Sequence, residues 1–184
     1  MLISCIYTEI THLSESDLAW MSVYNVNDSV LLASQEEVDT LIILNKTIYN
    51  SLNPFRENEG FSKYKANANY DYELRHKNRI IEGWFNISKE EKASPIHLNV
   101  QLHERFGFNL NMNLSKRKIG RVILDDSIVI DDNNSELSKY HSRDTILEYF
   151  VWSKSKGLVE FKFRYEDVYV NESVSITGTG SLPQ

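Results

Sequence analysis

The sequence predicts an all-β fold, a mainly antiparallel meander arranged as a sandwich or a barrel, with one short N-terminal helix. After Tyr24, nearly every segment alternates apolar and polar side chains with the period of two that is typical of a half-buried strand. Polar turns join these short segments. The 184 residues, 41% of them hydrophobic, are enough for one core. We therefore expect an N-terminal tether over residues 1–12, one β-rich domain over 13–170 and a polar tail over 171–184.

The helix is predicted from a capping box. Ser14 and Asp17 have the spacing at which the two side chains each accept a hydrogen bond from the other residue's backbone amide. Leu13 and Leu18 flank this box with the spacing of a hydrophobic staple. The helix should begin after Ser14 and end near Tyr24.

The segments after the helix are predicted to be strands. They are residues 29–33, 39–44, 69–75, 79–87, 96–103, 107–113, 120–130, 145–152, 158–164 and 168–170. On the segment 158–165, one face carries charged residues and the other carries Val159, Phe161, Phe163 and Tyr165. Residues 50–65 show no period, so we expect a long loop there that could carry binding residues.

One hairpin is predicted down to its register. Apolar side chains should face apolar side chains across its two strands, which leaves residues 104–106 as the loop. The expected pairs are Leu102 with Phe108, Val100 with Leu110, and Leu98 with Met112.

The charge distribution argues against nucleic acid as a partner. The formal net charge is −6, whereas binding to phosphates needs a concentrated basic surface. Basic residues cluster at 75–79 and 116–118, between strand-like segments, and we interpret both clusters as solvated turns. The longest apolar run, residues 41–44, is far shorter than the roughly 18 residues that a membrane-spanning helix needs.

No catalytic residues, cofactor or metal site are predicted. The chain lacks a Gly-x-Ser-x-Gly elbow, a phosphate-binding glycine loop and a His-Glu-x-x-His motif. His97 and His103 share a face of one predicted strand but lie roughly 20 Å apart at the rise of a strand, which is too far for one zinc ion. These absences favour a protein without enzymatic activity and do not decide the question.

Cys5 is the single cysteine of the chain. It closes the tetrapeptide Leu2-Ile3-Ser4-Cys5, which resembles the lipobox of bacterial lipoproteins and implies lipid modification of Cys5. The next residues are similar to those of small cell-envelope lipoproteins of Gram-negative bacteria, namely Leu13, Asp17, Trp20, Tyr24 and Asp28. This resemblance covers about the first 50 residues and brings no known activity with it. The alternative is that Cys5 is a small apolar residue near a chain terminus.

Four Asp-Ser/Thr-apolar triplets resemble the acceptor of a periplasmic O-glycosylation system of some bacteria. The acceptor residues would be Ser29, Thr40, Ser127 and Thr145. The same triplets are typical of strand starts, where an Asp in a turn precedes β-branched residues. The intact mass of the natively expressed protein distinguishes the two interpretations.

Two functions remain open. The first is a non-enzymatic module of the cell envelope, periplasmic or at the surface, which a lipid on Cys5 anchors to the membrane and which binds a protein, a glycan or an apolar ligand. The second is a cytoplasmic small-molecule-binding or enzymatic barrel, whose pocket would be lined by Tyr70, Tyr72, Trp84, Phe106 and Trp152. Aromatic side chains at alternating strand positions also suit a core.

Overall fold

The computed structural model describes residues 8–52, 62–103, 105–107, 115–119, 122–133, 135–137 and 146–175. The predicted fold class is confirmed, because the chain is mostly antiparallel β and forms a nearly closed, barrel-like sheet. The strands are β1 (Thr8–Ile10), β2 (Ser29–Ala33), β3 (Val38–Leu52), β4 (Ser62–His76), β5 (Arg79–Lys89), β6 (His97–Leu102), β7 (Arg105–Gly107), β8 (Ser115–Ile119), β9 (Val122–Ile130), β10 (Glu136–Leu137), β11 (Leu147–Ser153), β12 (Gly157–Phe163) and β13 (Val168–Asn171). Two short helices are α1 (Glu15–Leu18) and α2 (Glu172–Ser175).

The strands follow the order β10-β7-β6-β5-β4-β3-β2-β13-β12-β11-β9-β8 across the sheet. The run from β2 to β7 is a simple meander, in which neighbours along the chain are neighbours in the sheet. Strand β13 then pairs with β2 and joins the C-terminal strands to this meander. Strand β1 is the exception to the antiparallel pattern, because it pairs in parallel with β4.

The main core lies on the inner face of the sheet. Strands β4, β5 and β6 supply alternate side chains to it, and Trp20 and Met21 pack into it from the 3₁₀ turn after α1. A smaller cluster packs on the outer face and consists of Leu124, Val151 and Val159. Burial of each large apolar side chain contributes about 1.5–3 kcal/mol, so the inner face dominates the stability of the fold.

The predicted capping box is confirmed at the start of α1. The Oγ of Ser14 accepts a hydrogen bond from the Asp17 amide, and the Asp17 carboxylate accepts one from the Ser14 amide. The α-helix ends at Leu18 rather than near Tyr24. The Tyr70 hydroxyl instead donates to the Tyr24 carbonyl and accepts from the Tyr24 amide, which holds this segment against the core.

Residues just outside both expected domain boundaries pair or pack with the sheet. Strand β1 belongs to the sheet, and Thr11 continues its pairing by donating its amide to the Tyr64 carbonyl at 2.9 Å, so residues 8–12 are not a free tether. At the other end, Asn171 is buried and its side-chain amide donates to the Leu158 carbonyl at 3.0 Å. The polar tail therefore cannot begin before α2.

The predicted register of the β6–β7 hairpin is also wrong. Residues 105–107, two of which were expected in the loop, form β7. The observed pairs are Leu102 with Arg105, Gln101 with Phe106, and Val100 with Gly107. Phe108, Leu110 and Met112 of the expected pairs lie outside the described residues.

A buried arginine explains this register. The Arg105 side chain is fully buried, and its Nε donates to the Leu147 carbonyl at 2.8 Å. Its two terminal nitrogens donate to Ser135 Oγ and Asp132 Oδ1, each at 2.7 Å. These bonds supply the partners that a buried guanidinium requires. Because the bond to Leu147 joins β7 to β11, from opposite ends of the strand order, it helps to close the barrel.

Two other predictions fail for local reasons. A bulge in the pairing of β11 with β12 places Val159 in the outer cluster while Leu158 and Phe161 face inward, so the predicted apolar face is interrupted. Tyr165 leaves that face altogether, since it lies in a turn with a φ of 71°. Residues 116–118, expected in a turn, belong to strand β8.

None of the helices in the described ranges is both long and apolar enough to cross a membrane.

Candidate functional site

Three turns meet at one end of the barrel, those that join β2 to β3, β4 to β5 and β12 to β13. They line a pocket of about 250 Å³, which we call the end pocket. Its charged residues are Glu36, Glu37, Lys77, Glu166 and Asp167. The end pocket thus carries four carboxylates and one ammonium group.

His76 lies beneath the end pocket with a carboxylate at each ring nitrogen. Its Nδ1 is 2.6 Å from Oδ2 of the buried Asp39, and its Nε2 is 3.0 Å from Oε2 of Glu166. The ring packs against Phe163 at 4.7 Å and meets the edge of Tyr169 at 5.3 Å between centroids. The expectation of a solvated turn at residues 75–79 is therefore wrong for His76, which is buried.

A second layer of polar contacts surrounds His76. Lys77 Nζ lies 2.9 Å from Glu166 Oε1 and 3.8 Å from Glu37 Oε2, and its hydrogen bond to Glu166 raises the pKa of Lys77. The Tyr169 hydroxyl donates to Glu37 Oε2 at 3.0 Å. Burial and this hydrogen bond raise the pKa of Tyr169. All three turns are tied together through these groups.

The His76 cluster does not have the geometry of a catalytic centre. Asp39 orients the ring as the aspartate of a catalytic triad does, but Nε2 faces Glu166 instead of a Ser, Thr or Cys nucleophile. Within the described residues, no group of three or more His, Cys, Asp or Glu could hold a metal ion. The arrangement suits an ion-pair network that fixes the turns.

The aromatic residues considered for a ligand pocket divide between two faces. Tyr70, Tyr72 and Trp152 belong to the packed core. Trp152 stacks on Phe85 at 4.4 Å and on Tyr72 at 6.0 Å between centroids. Trp84 is half-buried and pairs in register with Asp71, on the opposite face from Tyr72.

The hydroxyl groups of the core tyrosines are satisfied by the backbone. Tyr72 donates to the Gln101 carbonyl at 2.7 Å, and Tyr70 donates to the Tyr24 carbonyl at the same distance. Burial raises the pKa of Tyr70 to about 12 and also raises the pKa of Tyr72. These tyrosines are therefore anchored within the packed core.

The four possible glycosylation residues differ in accessibility. Ser29 is exposed and Thr40 is half-buried. Ser127 is fully buried, so its hydroxyl is inaccessible in the folded protein. Thr145 lies outside the described residues.

Among the strands that the structure describes, β3 has a long edge without a partner strand. Its first part, residues 38–42, pairs with β2, and the Ile43 backbone bonds to Asn27 and Asp28. Residues 44–52, which we call the outer half of β3, have β4 on one side and no described strand on the other. The side chains here are largely exposed, with exposed fractions of 48% for Leu44, 59% for Ile48, 48% for Tyr49 and 41% for Leu52.

The sequence prediction missed both the His76 cluster and the outer half of β3. The predicted strand ended at Leu44 because a bulge between Ile43 and Asn45 interrupts the alternation there. The run Thr47-Ile48-Tyr49 has high β propensity and was the available signal. No sequence signal brings Asp39, His76 and Glu166 together, since they come from three different hairpins.

Three comparisons with known proteins found no match, whether with protein-family models, curated proteins or solved structures. The similarity to small envelope lipoproteins therefore rests on the N-terminal residues named above. Cys5 lies outside the described residues, and its lipid modification stays a prediction.

Proposed function

We propose that this chain is a non-enzymatic binding module of the cell envelope, tethered by a lipid on Cys5, which binds an extended polypeptide segment along the outer half of β3. The observation that carries the binding proposal is the open edge of residues 44–52. An unpaired strand edge offers alternate amide donors and carbonyl acceptors to an added strand, which is a common mode of peptide recognition.

Within the described part of the chain, the outer half of β3 shows little of the usual protection of an edge strand. Natural edges are shortened, covered, or given charges or proline. Residues 44–52 contain one charge, Lys46, and no proline. Lys46 Nζ is directed back to the Tyr24 carbonyl at 3.3 Å, and burial lowers the pKa of Lys46. By contrast, the edge strand β8 carries three consecutive basic residues, 116–118.

The packing of the inner-face aromatic residues supports the non-enzymatic part of the proposal. The inner-face aromatics stack on one another, and their hydroxyl groups bond to the backbone. The buried His76 faces carboxylates at both nitrogens. Neither arrangement offers a base and a nucleophile to a bound substrate.

Selection of extended peptides tests the binding function. Random nine-residue peptides displayed on phage are selected on the full chain, and their affinities are then measured by calorimetry. We expect a loss of at least about tenfold with Ile48→Lys, because a new charge must be desolvated at the edge. Ile80→Lys is the matched control, since Ile80 is an equally exposed isoleucine (66%) away from this edge. Peptides that bind both variants equally would reject the proposal, and so would a monomeric chain that selects no peptides.

Membrane fractionation tests the tether. A bacterial lipoprotein carries two or three acyl chains, which suffice for stable anchoring where one chain gives only marginal binding. We expect the natively expressed protein to sediment with membranes and Cys5→Ala to release it. Unchanged sedimentation of Cys5→Ala would reject a lipid on Cys5.

A further inference from the structure

We infer that the segment bound by the outer half of β3 is the outer half of β3 of a second copy of this chain, antiparallel to the first, with the two-fold axis at Ile48. This inference rests on the proposed function and names its partner. A closed two-chain assembly through one strand edge needs the same edge on both copies, in antiparallel orientation. The sequence of residues 44–52 is self-complementary in that orientation.

The register centred on Ile48 pairs apolar residues with each other at its centre and at both ends. The opposing pairs are Leu44 with Leu52, Asn45 with Ser51, Lys46 with Asn50, Thr47 with Tyr49, and Ile48 with Ile48. Apolar residues meet apolar residues at the centre and at both ends, which is the arrangement that stabilises cross-strand pairs. The two Lys46 residues lie four positions apart, roughly 13 Å along the strand direction, so their repulsion is small.

Neighbouring registers are less favourable. A two-fold axis at Thr47 places Ile48 opposite Lys46, and one at Tyr49 places Ile48 opposite Asn50. An axis at Lys46 places two ammonium groups directly opposite each other, which is destabilising. The axis at Ile48 is therefore the register that the chemistry selects.

In the β3–β4 hairpin, two apolar residues of the outer half of β3 lie opposite residues of β4. Ile48 pairs in register with Ala68, and Leu52 pairs with Tyr64. Ala68 is fully buried, whereas Ile48 is 59% exposed. Each copy carries a net charge of −6, so the copies repel at long range and added salt should favour their association.

Sedimentation equilibrium of the full chain over a range of concentrations tests the inference. We expect a monomer–dimer equilibrium that Ile48→Lys weakens by at least tenfold and that Ile80→Lys leaves unchanged. A parent chain that is monomeric at every concentration would overturn the inference, and so would a dimer that Ile48→Lys leaves intact.

Cysteine cross-linking tests the register. In a Cys5→Ser background, Ile48→Cys places the two introduced thiols on directly opposing positions, where side chains are close enough for a disulfide. Asn50→Cys places them four positions apart on the same edge and serves as the control. Mild oxidation should link Ile48→Cys at least tenfold faster than Asn50→Cys. Equal rates, or faster linking of Asn50→Cys, would overturn the register.

The two sets of experiments separate the inference from the proposed function. A monomeric chain that still binds selected peptides, with loss on Ile48→Lys, refutes the second copy and leaves the binding function standing. A monomeric chain that selects no peptides refutes both.

Discussion

The two halves of strand β3 both carry apolar residues but have opposite environments. In the inner half, residues 38–43, Asp39, Leu41 and Ile43 are buried at alternate positions. In the outer half, residues 44–52, no residue is buried although apolar residues recur at Leu44, Ile48 and Leu52. The alternation of a strand thus shows which side chains share a face, and a second packed layer decides whether that face is covered.

Truncation of an apolar side chain in each half should give the largest difference between the two halves in the free energy of unfolding. Leu41→Ala removes a fully buried side chain from the core and should lower the free energy of unfolding by about 2–5 kcal/mol. Ile48→Ala should change it by less than about 0.5 kcal/mol in dilute protein, because Ile48 is exposed. Urea unfolding measures both, and losses of similar size would show that the outer half is packed after all.

Removal of a polar contact from each half should also lower the free energy of unfolding more in the inner half than in the outer half, but by a smaller margin. Asp39→Ala breaks the buried 2.6 Å contact with His76 and should cost about 1–3 kcal/mol. Asn45→Ala breaks the exposed 3.2 Å hydrogen bond to Asp71 and should cost less than about 0.5 kcal/mol. Chemical unfolding at neutral pH compares the two variants. A greater loss with Asn45→Ala would contradict the structural role given to the His76 cluster.

Acid should destabilise the barrel through Asp126, whereas the outer half of β3 contains no carboxylate. Burial alone would raise the pKa of Asp126, but hydrogen bonds from Ser155 and Ser153 outweigh it and lower the pKa from 3.8. A pKa that is lower in the folded state gives stability that is present above pH 3.8 and is lost as the pH falls through the lowered value.

Asp126→Asn is the variant that tests this acid dependence. It should remove about 1 kcal/mol at neutral pH and flatten the decline in acid. Unfolding midpoints measured from pH 6 to pH 2 would count against this account if parent and variant fell in parallel.

The sequence was most informative where local chemistry decides the structure. The bounds of β2 and the capping box at Ser14 were predicted correctly, because alternation and capping depend on near neighbours. The pairing of Arg105 was not predicted, because its partners Asp132, Ser135 and Leu147 come from distant parts of the chain. The open edge of β3 was missed for a third reason, since a bulge at Leu44 broke the alternation that would have extended the strand.

Amide hydrogen exchange along β3 tests the open edge most directly. Amides of residues 38–43 should be protected at every protein concentration. In residues 44–52, the alternate amides that point away from β4 should exchange rapidly in dilute protein and become protected as the concentration rises. Protection of those amides at all dilutions would show that the edge is already covered, and rapid exchange at all concentrations would show that no second copy binds there.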